Sequence, residues 1–221
     1  MLPVPLSRAL RSLPIFPLPR VTLFPHTLLP LHVFEPRYRA LVRDVLDGHR
    51  LVGVPMLKED GEPGPAGDPA VEPVFGVGRL VRHEGLPDGR SHVVLLGLAR
   101  ARVLRELQAD QPYRVVEAEL VDIHRGCTPR SPGLDRALNE VHLRVRQLTR
   151  DDLRPDIERL LAADRDPSEQ VDVLAHMCLR DPAERQRFLS CTSIEDRADA
   201  LLAALAELVA DRPGGAPVAE G

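Results

Sequence analysis

The 221-residue chain has no tryptophan, two tyrosines and five phenylalanines, and Lys58 is its only lysine. So few aromatics leave little surface on which bases could stack. A single lysine leaves one candidate for any chemistry that needs an amine base. The three cysteines (Cys127, Cys178 and Cys191) are odd in number, far apart and without a Cys-x-x-Cys pair. They supply neither a disulfide framework nor a zinc knuckle, and they fit a reducing compartment. No apolar run approaches the roughly eighteen residues needed to cross a bilayer. The opening MLPVPLSRALRSLP is too broken by proline for a secretory signal. A cytoplasmic protein without a membrane partner is expected. Its net charge of −4 counts against a general nucleic-acid binder, which is usually basic.

What is present divides near residues 125–133, RGCTPRSPG. Residues 1–125 carry 16 basic and 15 acidic side chains, whereas residues 126–221 carry 13 and 18. Before the division apolar residues come in short runs, which read as strands. Leu13 to Phe16 and Val21 to Phe24 are broken by prolines, which confine strands to edges or bends, so a kinked entry into a barrel is expected. Leu51 to Leu57 and Phe75 to His83 follow, the latter with Gly76 and Gly78 on one face, a sign of a bend or a close backbone approach. Leu86 to Arg90 carries the Asp-Gly hairpin signal. His92 to Val103 contains the apolar run Val93 to Ala99, suited to the centre of a closed sheet. Tyr113 to Ile123 closes the series. One helix interrupts it, Pro36 to Asp47, where Tyr38, Leu41, Val42 and Val45 share a face. Residues 58–73, rich in Gly, Pro and acids, form a loop.

After the division the spacing is helical. Leu134, Leu138, Val141, Val145 and Leu148 make one face. Asp166-Pro167-Ser168-Glu169 and Asp181-Pro182-Ala183-Glu184 are helix starts, and Ser193 with Asp196 is a weaker one. A last helix runs through Ala198 to Val209, and a disordered tail is expected over residues 212–221. The fold class is therefore α+β, with an apolar β domain over 11–125 and a helical bundle over 134–211.

Leu13-Pro14-Ile15-Phe16-Pro17-Leu18, Leu23-Phe24-Pro25 and Leu29-Pro30-Leu31-His32-Val33-Phe34-Glu35-Pro36-Arg37-Tyr38 form a distinctive ordered series. It resembles the N-terminal, substrate-binding domain of Lon-type ATP-dependent proteases. Phe75 to Leu80, Asp88-Gly89-Arg90 with Leu95-Leu96-Gly97, and Tyr113 to Glu119 resemble that family's later strands. The resemblance covers about residues 11–210. It implies a PUA-like β pseudo-barrel with one embedded helix and a C-terminal helical bundle. It also implies binding of unfolded or partly folded protein segments, or of a specific protein partner, as an adaptor or client-binding protein. The 221 residues hold no Gly-x4-Gly-Lys-Ser/Thr phosphate loop. Lys58, in a Gly/Pro loop, is poorly placed for the desolvation that would make it a base to serine. A non-catalytic protein without cofactor or metal is expected.

Phe34, Glu35, Arg37 and Tyr38 are the candidate partner-binding residues. In one reading Phe34 and Tyr38 are apolar anchors and Arg37 a carboxylate clamp. In the other, which the Glu-Pro helix start favours, Glu35 caps the helix, Tyr38 packs beneath it and Arg37 pairs with a nearby acid. His83 and His92 flank the hairpin, and two histidines are half a zinc site at most. Arg79, Arg82, Arg100, Arg102, Arg105 and Arg114 lie on strands, as an RNA-binding strip or as exposed partners of Glu84, Glu117 and Glu119. The scarcity of aromatics favours the latter and disfavours RNA. Cys178, with Leu174 and Met177, reads as core.

Overall fold

A computed structural model describes residues 6–60, 68–121, 131–162 and 165–210. Among these residues six strands form one sheet: β1 (Leu13–Pro14), β2 (Leu28–Val33), β3 (Leu51–Val54), β4 (Val74–Gly85), β5 (Ser91–Leu107) and β6 (Val115–Leu120). The helices are α1 (Leu6–Ala9), α2 (Pro36–Asp47), α3 (Pro132–Leu148), α4 (Arg154–Leu160), α5 (Pro167–Cys178), α6 (Pro182–Ser190) and α7 (Ile194–Ala210). The expected tail and the linker with Cys127 lie outside the described residues.

The strands pair antiparallel in the order β1-β6-β5-β4-β3, and β2 adds to β5. Parallel bridges from Ile15 to Gly53 and from Leu18 to Met56 bring the chain after β1 back against β3 and its continuation. The ring of strands is thereby closed, as the barrel expectation requires. β5, at 17 residues, is the spine. Its first half pairs with β2 and its second with β6, while β4 runs along both. Val93 and Leu95 are buried and Val94 and Leu96 half-buried, the alternation of a sheet with one face in the core. β3 separates two apolar clusters. Val52 and Val54 belong to one, with Tyr38, Leu41, Val42 and Val45 of the embedded α2; Leu51 belongs to the other, with Phe75, Val77 and Val116.

Three local readings change. The expected strand at Leu51–Leu57 stops at Val54 because Pro55 has no N–H for the ladder. β2 does not register as a strand in the sequence because Pro30 sits at its centre. Val21 to Phe24 is not a strand: its backbone crosses β4 and β5 over two glycines. A Cβ on Gly76 would lie 1.9 Å from the Leu23 carbonyl oxygen, and one on Gly97 would lie 2.0 Å from that of Phe24. This is the close backbone approach that the paired glycines of β4 announced.

The described residues of 1–123, with Asp181–Thr192, make one compact unit; those of 124–180, with the residues from Ser193 on, make a second. α6 thus packs with the sheet rather than with the other helices. The Phe24 and Phe188 rings meet edge-on at 5.3 Å. Gln186 Nε2 donates to the Val74 carbonyl at 2.8 Å, and Arg185 Nε donates to Thr22 Oγ1 at 3.0 Å. Arg100, 1% exposed, donates from Nε to the Leu189 carbonyl at 3.1 Å. A cation on one of the last carbonyls of a helix suits the dipole. Arg100 is therefore not one of the exposed strand arginines expected above.

In the second unit α7 packs against α3 and α5. Leu134, Leu138, Val141 and Val145 form the buried face of α3. The expected caps are present. Asp166 accepts from Ser168 N–H, Asp181 from Glu184 N–H (at the start of α6, in the first unit), and Ser193 from Asp196 N–H. Met177, expected in the core with Cys178, is 56% exposed. The half-buried Cys178 thiol is pushed up in pKa by burial, which keeps it protonated and unreactive.

Candidate functional site

The register of β4, β5 and β2 builds the site. Arg79 pairs with Leu96, and Leu96 with Leu28; Arg82 pairs with Val94, and Val94 with Pro30; Glu84 pairs with His92, and His92 with His32. Directly opposed residues point to the same face, so these three rows lie together on the face away from Leu80, Val93 and Leu95. The Thr27 carbonyl accepts from Gly97 N–H at 2.8 Å. Alternation along β2 then turns the backbone groups of Leu28, Pro30 and His32 away from β5. Side chains in such pairs approach closely, and the His32 and His92 rings are 5.0 Å apart. Phe34 continues the row, 5.8 Å from His32. Thus His92 faces His32 rather than His83. Among the described residues no three His, Cys, Asp or Glu side chains are grouped to hold a metal.

This face carries exposed apolar side chains beside its charged ones. Leu28 is 56% exposed, Phe34 57% and Val81, at an irregularity in the β4–β5 register, 46%. Among the described residues no second strand pairs with β2. Pro30 offers no N–H on that free edge, which blunts it against strand addition.

The four residues singled out in the sequence separate. Tyr38 is core, 5% exposed; its ring stacks on Phe16 at 3.9 Å and its hydroxyl donates to the Pro17 carbonyl at 3.2 Å. Glu35 stands at the N-cap of α2 without a side-chain capping bond. It accepts instead from Arg37 Nε at 3.0 Å, and the Arg37 guanidinium lies 4.5 Å from the centre of the Tyr38 ring. Phe34 alone is presented to solvent as a large apolar surface.

Arg37 and Tyr38 also line a cleft of ≈ 600 Å³ beside residues 106–114. Its cations are engaged. Arg37 pairs with Glu35; Arg114 pairs with Glu106 and donates to the Pro69 carbonyl, leaving only its Nε without a partner. At the cleft Tyr113 donates to Asp44 Oδ2 at 2.8 Å. Burial first, then the hydrogen bond and charge of Asp44, push its phenol from the ordinary 10.0 up to about 12. Folding favours the neutral phenol. Its contribution to stability is therefore complete below pH 10 and is lost as pH rises through about 12. In a tyrosinate absorbance titration the signal that Tyr113→Phe removes should be centred near pH 12; a transition near pH 10 would contradict the buried hydrogen bond.

A family model described as the ATP-dependent protease La (LON) substrate-binding domain matches residues 12–207. The chain belongs to this family. Lon protease of Dictyoglomus thermophilum is 26% identical over 192 residues, 84% of this chain and 23% of that protein. Lon protease of Roseiflexus castenholzii is 31% identical over 190 residues, 84% of this chain and 23% of that protein. The chain thus spans about a quarter of the length of the curated relatives it matches. Among solved structures, the N-terminal domain of Mycobacterium avium complex Lon protease superposes with a TM-score of 0.70 at 13% identity, over 89% of this chain and 98% of that one. A Lon N-terminal domain protein from Xanthomonas campestris gives 0.60 at 26% identity, over 87% and 97%.

The LON-family series Leu29 to Tyr38 therefore comprises most of β2, the turn at Phe34–Glu35 and the start of α2. Leu28, Val81, Val94 and Leu96 were missed as site residues. Only pairing across three strands puts them on the face along which β2 leads to Phe34, and single-strand alternation does not reveal which outward face stays uncovered. The strand arginines largely face carboxylates, Arg105 with Glu117 at 2.7 Å and Arg102 with Glu119 at 3.9 Å. Exposed pairs of this kind contribute about 0–1 kcal/mol, but they remove the continuous positive strip an RNA would need. Among the described residues no helix is long and apolar enough to cross a membrane.

Proposed function

We propose that this chain is a non-catalytic module that captures extended apolar segments of other proteins on the outer face of β2, β5 and β4. The observation that carries this reading is a pair of exposed apolar side chains, Leu28 and Phe34, at the two ends of one outward row that Pro30 and His32 continue and that Val94 and Leu96 of β5 flank, in a domain of the LON substrate-binding family. Exposed apolar patches of this kind mark protein-binding sites. Pro30 directs the client to the side chains of the face rather than to the β2 backbone. Phe34 is the anchor; the Glu35–Arg37 pair fixes the corner from which it projects, and Tyr38 holds that corner to the core. That the relatives are Lon proteases supports reading such capture as a client-binding or adaptor step ahead of cleavage by a protease.

The test is a titration of the protein, without ATP, into a fluorescently labelled unfolded protein, with a labelled RNA alongside at two salt concentrations. Saturable binding to the unfolded chain that keeps most of its affinity in salt is the expected result. No binding to the unfolded chain, with RNA binding that falls steeply in salt, would replace this reading by an RNA-binding one.

A further inference from the structure

We infer that the segment taken by this face carries carboxylates beside its apolar residues, and that Arg79 and Arg82 select them. The inference rests on the proposed client-binding reading and names the chemistry of the client.

The face is graded across its strands. β2 and β5 present Leu28, Pro30, Val94 and Leu96, whereas β4 presents Arg79 and Arg82 in the same rows. Both arginines are exposed, in a chain of net charge −4. Among the described residues no ion pair or side-chain hydrogen bond engages Arg79. Arg82 is held only by Glu84, at 3.7 Å, with both side chains more than half exposed; such a pair is weak and readily exchanged. Val81 stands between the two arginines and extends the apolar surface to the cationic margin. Glu35, near Phe34, is already taken by Arg37. The face therefore offers apolar contact bordered by the unengaged Arg79 and by Arg82, whose pairing with Glu84 is loose. A guanidinium presents a planar fork of donors that matches a carboxylate. The apolar rows would hold a client, and the margin would favour one with Asp or Glu flanking its apolar stretch, through both steering and contact.

Three labelled peptides with one apolar core, flanked by Glu, Gln or Lys, distinguish the possibilities by anisotropy at low and high salt. The wild-type protein should bind the Glu-flanked peptide about five- to tenfold more tightly than the Gln-flanked one and the Lys-flanked one most weakly, with the spread narrowing in salt. Arg79→Glu/Arg82→Glu, both at exposed positions, should melt within a few degrees of wild type, which shows that the variant is folded, and reverse the order of the Glu- and Lys-flanked peptides. Equal binding of all three by the wild type, or an order unchanged in the variant, overturns the acidic preference while leaving client binding standing. No binding of any peptide by the wild type overturns the client-binding reading and this inference with it.

Discussion

Replacing Asp172 by alanine is expected to destabilise the second unit by about 3–5 kcal/mol. Arg197 of α7 donates from Nη1 to Asp172 Oδ1 of α5 at 2.7 Å, and from Nη2 to Ser168 Oγ at 3.1 Å. The two side chains are 2% and 1% exposed, so water cannot substitute for a lost partner. Alanine at position 172 leaves a buried guanidinium without its counter-charge, and that penalty exceeds what the intact pair contributes. Exchanging both residues for apolar ones, Asp172→Leu/Arg197→Met, should recover most of the loss. Urea melts followed by helical circular dichroism would show this. A single-variant loss below about 1 kcal/mol, typical of exposed pairs, would mean that the pair is solvated.

The second large effect is expected at Gly76. Gly76→Ala should cost at least about 3 kcal/mol, the upper range for overpacking, because the obstacle at 1.9 Å is a backbone carbonyl and not a side chain that can rotate away. Leu23, which carries that carbonyl, is itself buried, as is Phe24 after it. Gly85→Ala on the same strand is the control. Its Cβ would meet nothing nearer than His83 Cε1 at 3.8 Å, so it should stay within about 0.5 kcal/mol of wild type. Equal behaviour of the two variants would contradict the crossing of residues 23–24 over β4.

These two sites also show how far the sequence could be read. The glycine spacing on β4 announced a close approach, but not which backbone approaches, since Leu23 is some fifty positions away. Asp172 and Arg197 lie on two helices whose starts are both marked by capping residues, yet helical periodicity says nothing of a buried ion pair between them. The Lon-like series correctly implied a closed sheet with an embedded helix. It hid β2, because Pro30 is admissible there only on a free outer edge, which a linear pattern cannot display. The division near 125–133 follows composition, whereas α6 follows its contacts. Its helix-start signal matches that of α5, and it is contacts such as Phe188 with Phe24, Gln186 with Val74 and Arg100 with Leu189 that tie it to the sheet. For the candidate site, Phe34 was legible as an apolar residue in a motif. Its partners on β5 and β4 required the register.

The most direct test of the account is to compare wild type with Leu28→Ser/Phe34→Ser in binding a labelled unfolded protein. Both side chains are more than half exposed, so the variant should melt within a few degrees of wild type, as surface substitutions do. It should bind at least about tenfold more weakly, as expected when central apolar anchors of an interface are lost. Unchanged affinity in a variant of unchanged stability would contradict the assignment of the outer face of β2, β5 and β4 as the client-binding surface.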